Sequence, residues 1–469
     1  MSNIEQISPT HIILGLGQSG LSCARYFDRI AQSYGVLDTR EYPPGREAIE
    51  SSKFCQMSNF GKLDQTWLNG CKLLVVSPGI SPTLPFIKKA KSLGVDVCGD
   101  VELFARNCSK PIVAITGSNG KSTVTDLTDR LINATNINCQ KGGNIGLPVL
   151  DFLPQADADL YVLELSSFQL DTTFTLSPEI AVLLNISEDH MDRYSDFMAY
   201  VSSKKQIFSG ANRSIYNAED SLTFPEPIKE NDIAFSLNLD SSSKKGTTNY
   251  LNRVEDGTDI IIDGSKQLKT SELSITGRHN YANVLASLSI LSGLNIEINE
   301  QVLSVLKEYQ GLKHRFQLVS RSKGCEWIND SKATNVGATV AALNSIEKHG
   351  RKNIVLIAGG DSKESDLQPL VEPVIEKVSH LFLLGKDRHK IADLISYSSS
   401  DIFNQVAKSN KNDIKIHFVE NLKEAVVAAS AIVDMNDIVL LSPACSSLDM
   451  FKNFEARGDA FIEAVRQCA

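Results

Sequence analysis

The chain has 469 residues, of which 42% are hydrophobic and 22% charged, and a formal net charge of -9. That is ordinary globular composition with material for two to four packed domains. The acidic balance argues against a nucleic-acid binder, which normally carries a basic excess, and no apolar run is long enough to span a bilayer.

The first residues, MSNIEQISPTHIILGLG, hold no basic segment followed by a long apolar core, so no signal peptide is expected. The cysteines are Cys23, Cys55, Cys71, Cys98, Cys108, Cys139, Cys325, Cys445 and Cys468, with no C-x-x-C pair among them. Such scatter fits reduced thiols in a cytoplasm and argues against zinc.

Taken in order, the chain alternates short apolar runs with amphipathic stretches, the pattern of parallel sheets flanked by helices. The first run, HIILGLG, opens a G-x-G-x-x-G at Gly15, Gly17 and Gly20, and the next, YGVLD, ends at Asp38. This is a dinucleotide fingerprint with its ribose-binding acid, and alone it suggests an NAD enzyme. CKLLVVSPG and GVDVCG complete the first set, and a boundary is expected near residue 99.

The second set starts with IVAITGSNGKSTVTDLTDRL, residues 112–131. A strand feeds a Gly-rich turn and then a helix, which aims backbone N–H groups and the helix dipole at an anion. Gly117 and Gly120 permit the turn, Lys121 would reach phosphates, and Ser122 or Thr123 would ligate Mg2+. The spacing is G-x-x-G-K-S, two residues shorter than the ordinary phosphate loop, because Ile115 stands where its first glycine would be. A dehydrogenase would not need this second phosphate loop.

LYVLELSSFQL (160–170) places Glu164 at a strand's carboxyl end, where ligands sit. LLNISEDHMDRY (183–194) crowds Asp189, His190 and Asp192 after another strand, a set suited to a hard metal or phosphate. An acid-rich helix start explains the acids equally well. By charge alone, Lys204 and Lys205 in YVSSKKQIF form a solvated helix face.

Residues 213–275 look different, with short β-like pieces such as DIIIDG, and LDSSSKKGTTN (239–249) suggests an exposed loop. In ITGRHNYANVLASLSI, Asn280 and Asn283 share one helix face. Their amides could recognise a base edge, or Asn280 could simply cap the helix. A second boundary is expected near residue 311. Beyond it, GLKHRFQ, WINDSKATNVGAT, AGGDSKESD and LLSPACSSLDMFKNFEARG are polar stretches at strand or turn ends. Arg315 and Lys332 could neutralise phosphate, while Lys363 and Ser447 could hold an anionic substrate.

Together ITGSNGKST, GGNIG, ELSSFQL, ISEDHMDRY, GRHNYANVLA, GLKHRF, NDSKATN, GGDSK and SPACSSLDMFKNFEARG resemble the motif series of the Mur ligases, in order over essentially the whole chain. The match is closest to the member that adds D-glutamate. The resemblance implies three α/β domains, each built on a mainly parallel sheet. Residues 1–99 would be a Rossmann-like UDP-substrate domain, 100–311 a phosphate-loop ATPase domain and 312–469 a Rossmann-like amino-acid domain. It implies a cytoplasmic, monomeric, ATP-dependent amide ligase of peptidoglycan synthesis, without membrane insertion.

Its substrates would be UDP-N-acetylmuramoyl-L-alanine and D-glutamate, joined through an acyl phosphate. ATP and two Mg2+ would be held by Gly117, Ser118, Asn119, Gly120, Lys121, Ser122, Thr123, Asn280, Asn283, Arg315 and Asp330. Gln18, Ser19, Asp38, Thr39, Arg40 and Gly79 would hold the UDP part, so the N-terminal glycines would not bind NAD. Asn144 and His190 would contact the substrate. Thr334, Lys363, Ser447 and Phe454 would hold D-glutamate. Lys121, His190, Lys204 and Lys332 would serve catalysis. Ser122, Glu164, His190 and Lys204 would bind metal, Lys204 as a carbamate. That last assignment opposes the solvated-face expectation for Lys204.

Overall fold

Every apolar run named above becomes a strand, and the strands assemble into three sheets. The computed structural model describes residues 9–153, 157–191, 193–237, 247–255, 257–322, 324–346, 352–406 and 414–468. Among them, no helix is long and apolar enough to cross a membrane, and all nine cysteines are unpaired.

The first sheet has five parallel strands in the order Cys55–Phe60, Tyr34–Asp38, His11–Leu14, Leu73–Val76, Asp96–Cys98. The strand order reverses beside His11–Leu14, which places the glycine loop at a switch point of the sheet. Gly15 adopts a φ of 93°, and a Cβ on Gly20 would lie 1.9 Å from the Gly15 carbonyl oxygen. Both positions therefore demand glycine.

The central sheet has nine strands. Its heart is Cys139–Gly143, Leu160–Glu164, Ile112–Thr116, Ile180–Leu183 and Arg213–Asn217, all parallel. The segment 213–275 does not form a unit of its own. It continues this sheet through Ile233–Ser236 and Thr247–Val254, then turns antiparallel at Gly257–Ile262 and Ser265–Lys269. Of the expected loop at 239–249, residues 239–246 lie outside the described residues, and 247–249 are strand. Helices Lys121–Asn133 and Arg278–Gly293 cover one face, burying Val124, Leu127, Leu131, Val284, Leu285 and Leu288 in one cluster.

The third sheet runs Gln317–Ser322, Cys325–Asn329, Ile438–Leu441, Ile354–Gly359, Val378–Leu384, Lys415–Phe418. Only its first pair is antiparallel. That hairpin was not evident in the sequence, because Gln317–Ser322 has little apolar content.

The first two sheets share one continuous apolar cluster, in which Ile13, Phe27 and Phe104 join Phe152, Tyr161 and Leu183. The third sheet packs its faces in two clusters of its own. At the first junction, Arg106 joins Asp96 of the first sheet to Glu102. Glu102, in helix Asp100–Ala105, accepts hydrogen bonds from the N–H of Phe174 (2.7 Å) and Thr175 (2.8 Å) and pairs with Arg106 (2.8 Å). Burial pushes its carboxyl up, but the Thr175 and Phe174 N–H groups and Arg106 outweigh that and hold it below its ordinary 4.5.

Glu102→Ala should therefore cost about 1–3 kcal/mol in denaturant unfolding near neutral pH. A carboxylate with a depressed pKa contributes its stability above the unfolded-state value and loses it as pH falls through the folded one. The gap to wild type should thus narrow below about pH 4. A gap unchanged in acid would mean that the side chain acts through packing alone.

Candidate active site

Strand Ile112–Thr116 is buried throughout and delivers the loop Gly117–Gly120 to the first turn of helix Lys121–Asn133. Gly120 caps that helix with a φ of 84°, and a Cβ there would meet Asn283 Oδ1 at 2.5 Å. The short loop is pinned by its neighbour. Asn119 N–H donates to Asn185 Oδ1 (2.8 Å), Asn185 Nδ2 donates to Asn119 O (3.0 Å), and Ser118 Oγ donates to Ser187 O (2.8 Å). Lys121 Nζ donates to the carbonyls of Gly117 (2.8 Å) and Ser118 (2.9 Å).

Lys204 is not on a solvated face. Asp196 caps helix Phe197–Lys205, and one side of that helix turns Lys204 inward to 2% exposure. Its Nζ donates to the same Gly117 carbonyl (2.8 Å) and stands 4.8 Å from the Tyr200 ring centre. Burial, then the Lys121 charge, hold its amine well below the lysine range. Lys205 does match the surface expectation, pairing with the exposed Glu226.

Glu164 is buried. Its Oε1 accepts from Asn144 Nδ2 (2.8 Å), and its Oε2 has no hydrogen-bond partner. His190 has a left-handed φ of 58°, and its ring lies 4.8 Å from that of Phe168. Asp192 lies outside the described residues.

The third domain closes the site. Arg315 Nη2 donates to Ser122 Oγ (2.7 Å), and Lys332 Nζ sits 4.1 Å over the Phe454 ring. Burial, then Arg315 and Lys121, push Lys332 down to about 8. Burial likewise pushes Asp330 up to about 7, even though it accepts from Ser442 Oγ (2.8 Å) and Phe316 N–H (3.1 Å). Lys363 has a φ of 50°, set by its N–H bond to Asp361 Oδ1 (3.0 Å).

Two cavities flank the phosphate loop. One, about 480 Å3, brings together Gly79, Ser118, Lys121, Ser122, Asn144, Glu164, His190, Lys204, Thr334, Lys363, Ser447 and Phe454. The other, about 300 Å3, is lined by Thr123, Asn280, Asn283, Asp330 and several alanines. Asn119, Gly120, Arg315 and Lys332 border both. Gly117 lines neither but supplies the carbonyl shared by the two lysines. Asn280 is not the helix cap: Gly277 holds that position, and Asn280 Nδ2 donates back to Thr276 O (2.8 Å).

Gln18, Ser19, Asp38, Thr39 and Arg40 do not line these cavities; they gather at the N-terminal glycine loop. Gln18 and Ser19 begin helix Gln18–Arg29. Asp38 is fully engaged, accepting from Leu16 N–H (2.7 Å) and from Arg40 through its N–H (2.8 Å) and guanidinium (2.7 Å).

Sequence reasoning missed several neighbours. His279 lines the smaller cavity, and burial holds it down to about 4, so it is neutral. Asn335 Nδ2 donates to Asp189 Oδ2 (3.0 Å), linking two domains. Arg457 is buried and donates to Ser331 O (2.8 Å) and Cys445 O (3.1 Å), tying two site loops together. Its signal was periodic: Arg457, Phe461 and Val465 recur every four residues on the buried face of the last helix.

Three family models match the chain in order: the Mur ligase MurD-like N-terminal domain at residues 9–99, the Mur ligase middle domain at 115–291, and the Mur ligase glutamate ligase domain at 314–445. The UDP-N-acetylmuramoylalanine--D-glutamate ligase of Shewanella violacea is 43% identical over 97% of this chain and 95% of its own. That of Pseudoalteromonas translucida is 40% identical over 97% and 96%. Among solved structures, a pseudomurein peptide ligase type C from Methanothermus fervidus aligns over 98% of this chain and all of its own, with a TM-score of 0.61 and 17% identity. A MurF ligase from Thermotoga maritima in complex with ADP aligns over 98% and 99%, with a TM-score of 0.59 and 15% identity. These two share the fold. With three consecutive domain models and such identity along nearly its full length, the chain belongs to the Mur ligase family.

Proposed function

We propose that this protein is an ATP-dependent ligase that adds D-glutamate to UDP-N-acetylmuramoyl-L-alanine in cytoplasmic peptidoglycan precursor synthesis. The observation that carries this reading is the convergence in one cavity of Lys121, Glu164, His190 and Lys204 from the central sheet with Lys332, Lys363 and Ser447 from the third. The 40–43% identity to ligases of that activity supports it. The units 1–99, 100–311 and 312–469 would hold UDP, ATP and the amino acid respectively, in a monomer.

The alanine-lined cavity suits adenine, with Asn280 and Asn283 at its edge, Asp330 near the ribose and Arg315 reaching across to Ser122. The phosphates would then cross the loop into the larger cavity. There the γ-phosphoryl group passes to the L-alanine carboxylate and ADP leaves. The D-glutamate amine attacks the acyl carbon and loses a proton, and phosphate departs as the amide forms. The work of the site is to hold anions together and shield their charge, which suits Lys121, Arg315 and Lys332. His190 and Asn144 would orient the L-alanine end. Lys363, Thr334, Ser447 and the backbone near Phe454 would hold the incoming D-glutamate. Gln18, Ser19, Asp38, Thr39, Arg40 and Gly79 would hold UDP.

Magnesium fits the donors present, since Glu164 Oε2 is a buried carboxylate oxygen without a partner beside Ser122 and His190. Two Mg2+ held by Ser122, Glu164, His190 and a carbamylated Lys204 would neutralise charge on the transferring phosphoryl group. The buried Lys204 amine favours its neutral form. Its lone pair can bond the carbon of CO2, an N–H proton leaves to solvent, and the side chain becomes an anion.

Lys204→Ala should be nearly inactive in a phosphate-release assay, and acetate should partly restore turnover by filling the vacated carboxylate position. Lys205→Ala should stay close to wild type. Inactivity with acid rescue in Lys205→Ala, or full activity in both variants, would refute the carbamate. Lys363→Ala should raise the D-glutamate KM on the order of 30- to 100-fold, as a lost charge-assisted bond implies, and leave the ATP KM little changed. Equal shifts in both constants would assign Lys363 to the nucleotide.

A further inference from the structure

One side chain joins the acid- and His-rich loop of the central domain to the turn at residues 77–80 of the first. Arg193 Nη2 donates to the Ile80 carbonyl (2.9 Å) while its guanidinium lies 4.2 Å from the Phe168 ring centre. Phe168 packs in turn against His190, 4.8 Å between rings. Arg193 N–H also donates to His190 O (2.9 Å), so Arg193, Phe168 and His190 are packed as one unit.

On the other side, Ile80 is part of a tight turn seated on the N-terminal glycines. Its N–H donates to Ser77 O (3.0 Å), and Ser77 Oγ donates to Gly15 O (2.8 Å). A Cβ on Gly15 would meet Ile80 Cδ1 at 2.7 Å, so this side chain fills the space that the glycine leaves. Between Ser77 and Ile80, Pro78 and Gly79 form the first domain's wall of the larger cavity. Arg193 thus holds the carbonyl next to Gly79 at a set distance from His190.

We propose that Arg193 is a positioning residue that registers the sugar-nucleotide domain against the reaction centre. It touches neither reacting group, and this role rests on the ligase reading above. The two ends of one extended substrate would be gripped by different domains, its UDP at the glycine loop and its L-alanine carboxylate at His190. An error of about 1 Å between the grips costs on the order of 10²-fold in rate. A planar guanidinium can stack and donate at once, whereas an ammonium cannot replace both contacts.

The test uses the full chain and three variants, Arg193→Ala, Arg193→Lys and Arg25→Ala. Arg25 pairs with Asp151 across the same two domains but outside both cavities, so its loss loosens the junction without touching the register. Arg193→Ala should lower kcat on the order of 10²-fold. The Kd for UDP-N-acetylmuramoyl-L-alanine without ATP, and the KM for ATP, should move by less than about 3-fold, and Arg193→Lys should recover only part of kcat. Arg25→Ala should keep kcat while lowering Tm. Retained kcat in Arg193→Ala, a Kd that weakens in step with kcat/KM, or an equal kcat loss in Arg25→Ala would each overturn the proposal. Hydrogen exchange at residues 77–81 does not depend on the substrate assignment: it should quicken in Arg193→Ala and not in Arg25→Ala. Unchanged exchange there overturns the coupling. Wild-type protein without D-glutamate-dependent phosphate release overturns the ligase reading, and quickened exchange would still support the coupling.

Discussion

Four basic side chains, Lys121, Lys204, Arg315 and Lys332, crowd around the buried carboxylate Glu164, with Asp189, Asp330 and Glu455 acting on some of them. Burial holds each of the four below its ordinary value, and Glu164 works against burial in every case. Crowding so many basic groups together out of water is costly unless anions complete the site. Much of the local architecture serves to keep the charges in place meanwhile. One carbonyl, that of Gly117, accepts from both Lys121 and Lys204, and the Ser122 hydroxyl accepts from Arg315. These are also the places where a polyphosphate's oxygens would be most strongly bound, since a phosphate can replace each weak neutral acceptor by a charged one. The shortened phosphate loop makes sense in the same terms. What it lacks in length it recovers in anchoring, because Asn185 and Ser187 of the adjacent loop hold the backbone and side chains of Ser118 and Asn119.

That adjacent loop, from Asn185 to Tyr194, is where the three domains meet. Ser187 touches the phosphate loop, Asp189 accepts from Asn335 of the third domain, and Arg193 reaches Ile80 of the first. The junctions differ in kind. The first two domains share an apolar cluster, so parting them would expose core. The third keeps its core clusters to itself and meets the central domain through hydrogen bonds such as Asn335 to Asp189 and a ring contact between His279 and Phe316. The first domain is bound to the centre by surface that must stay dry.

The sequence made the sheets and most of the cavity legible, because both rest on local patterns. Apolar runs closed by Gly, Pro or Asp marked strands such as His11–Leu14, Tyr34–Asp38 and Leu73–Val76 but not Cys55–Phe60, Cys139–Gly143 or Arg213–Asn217, and Gly117, Gly120 and Lys121 stood in the order expected of an anion site. Lys204 shows where local pattern stops. Neighbouring helix residues differ by about 100° in direction, so Lys204 and Lys205 have the same composition around them and opposite fates. Only the packing of that helix against the loop at Gly117, whose carbonyl Lys204 reaches, decides which turns inward. The hairpin Gln317–Ser322 escaped for a similar reason, being half-exposed and paired through its backbone. Asn335 and Arg193 make contacts 146 and 113 residues distant in sequence, and nothing near them in the chain signals those partners. Arg457 was the exception, a cation recurring on an apolar helix face.

The site owes its existence to an alignment of strand ends. Gly79 follows strand Leu73–Val76, the phosphate loop follows Ile112–Thr116, Asn144 follows Cys139–Gly143, and Glu164 closes Leu160–Glu164. His190 follows Ile180–Leu183, Lys332 follows Cys325–Asn329, Lys363 follows Ile354–Gly359, and Ser447 follows Ile438–Leu441. In a parallel sheet all carboxyl ends lie on one edge, so each sheet presents its loops as a group. Here three such edges, from three domains, face the same cavity. A single sheet offers a crevice on one side of a ligand. Three facing edges enclose it, which suits the proposed joining of anionic partners away from water. The arrangement also divides responsibility: each loop is held rigid by its own sheet, while the distance between loops of different sheets is set by the apolar cluster that the first two share and by the side chains that cross the gaps. Those crossing residues, and not only the groups that line the cavity, therefore govern whether the partners meet.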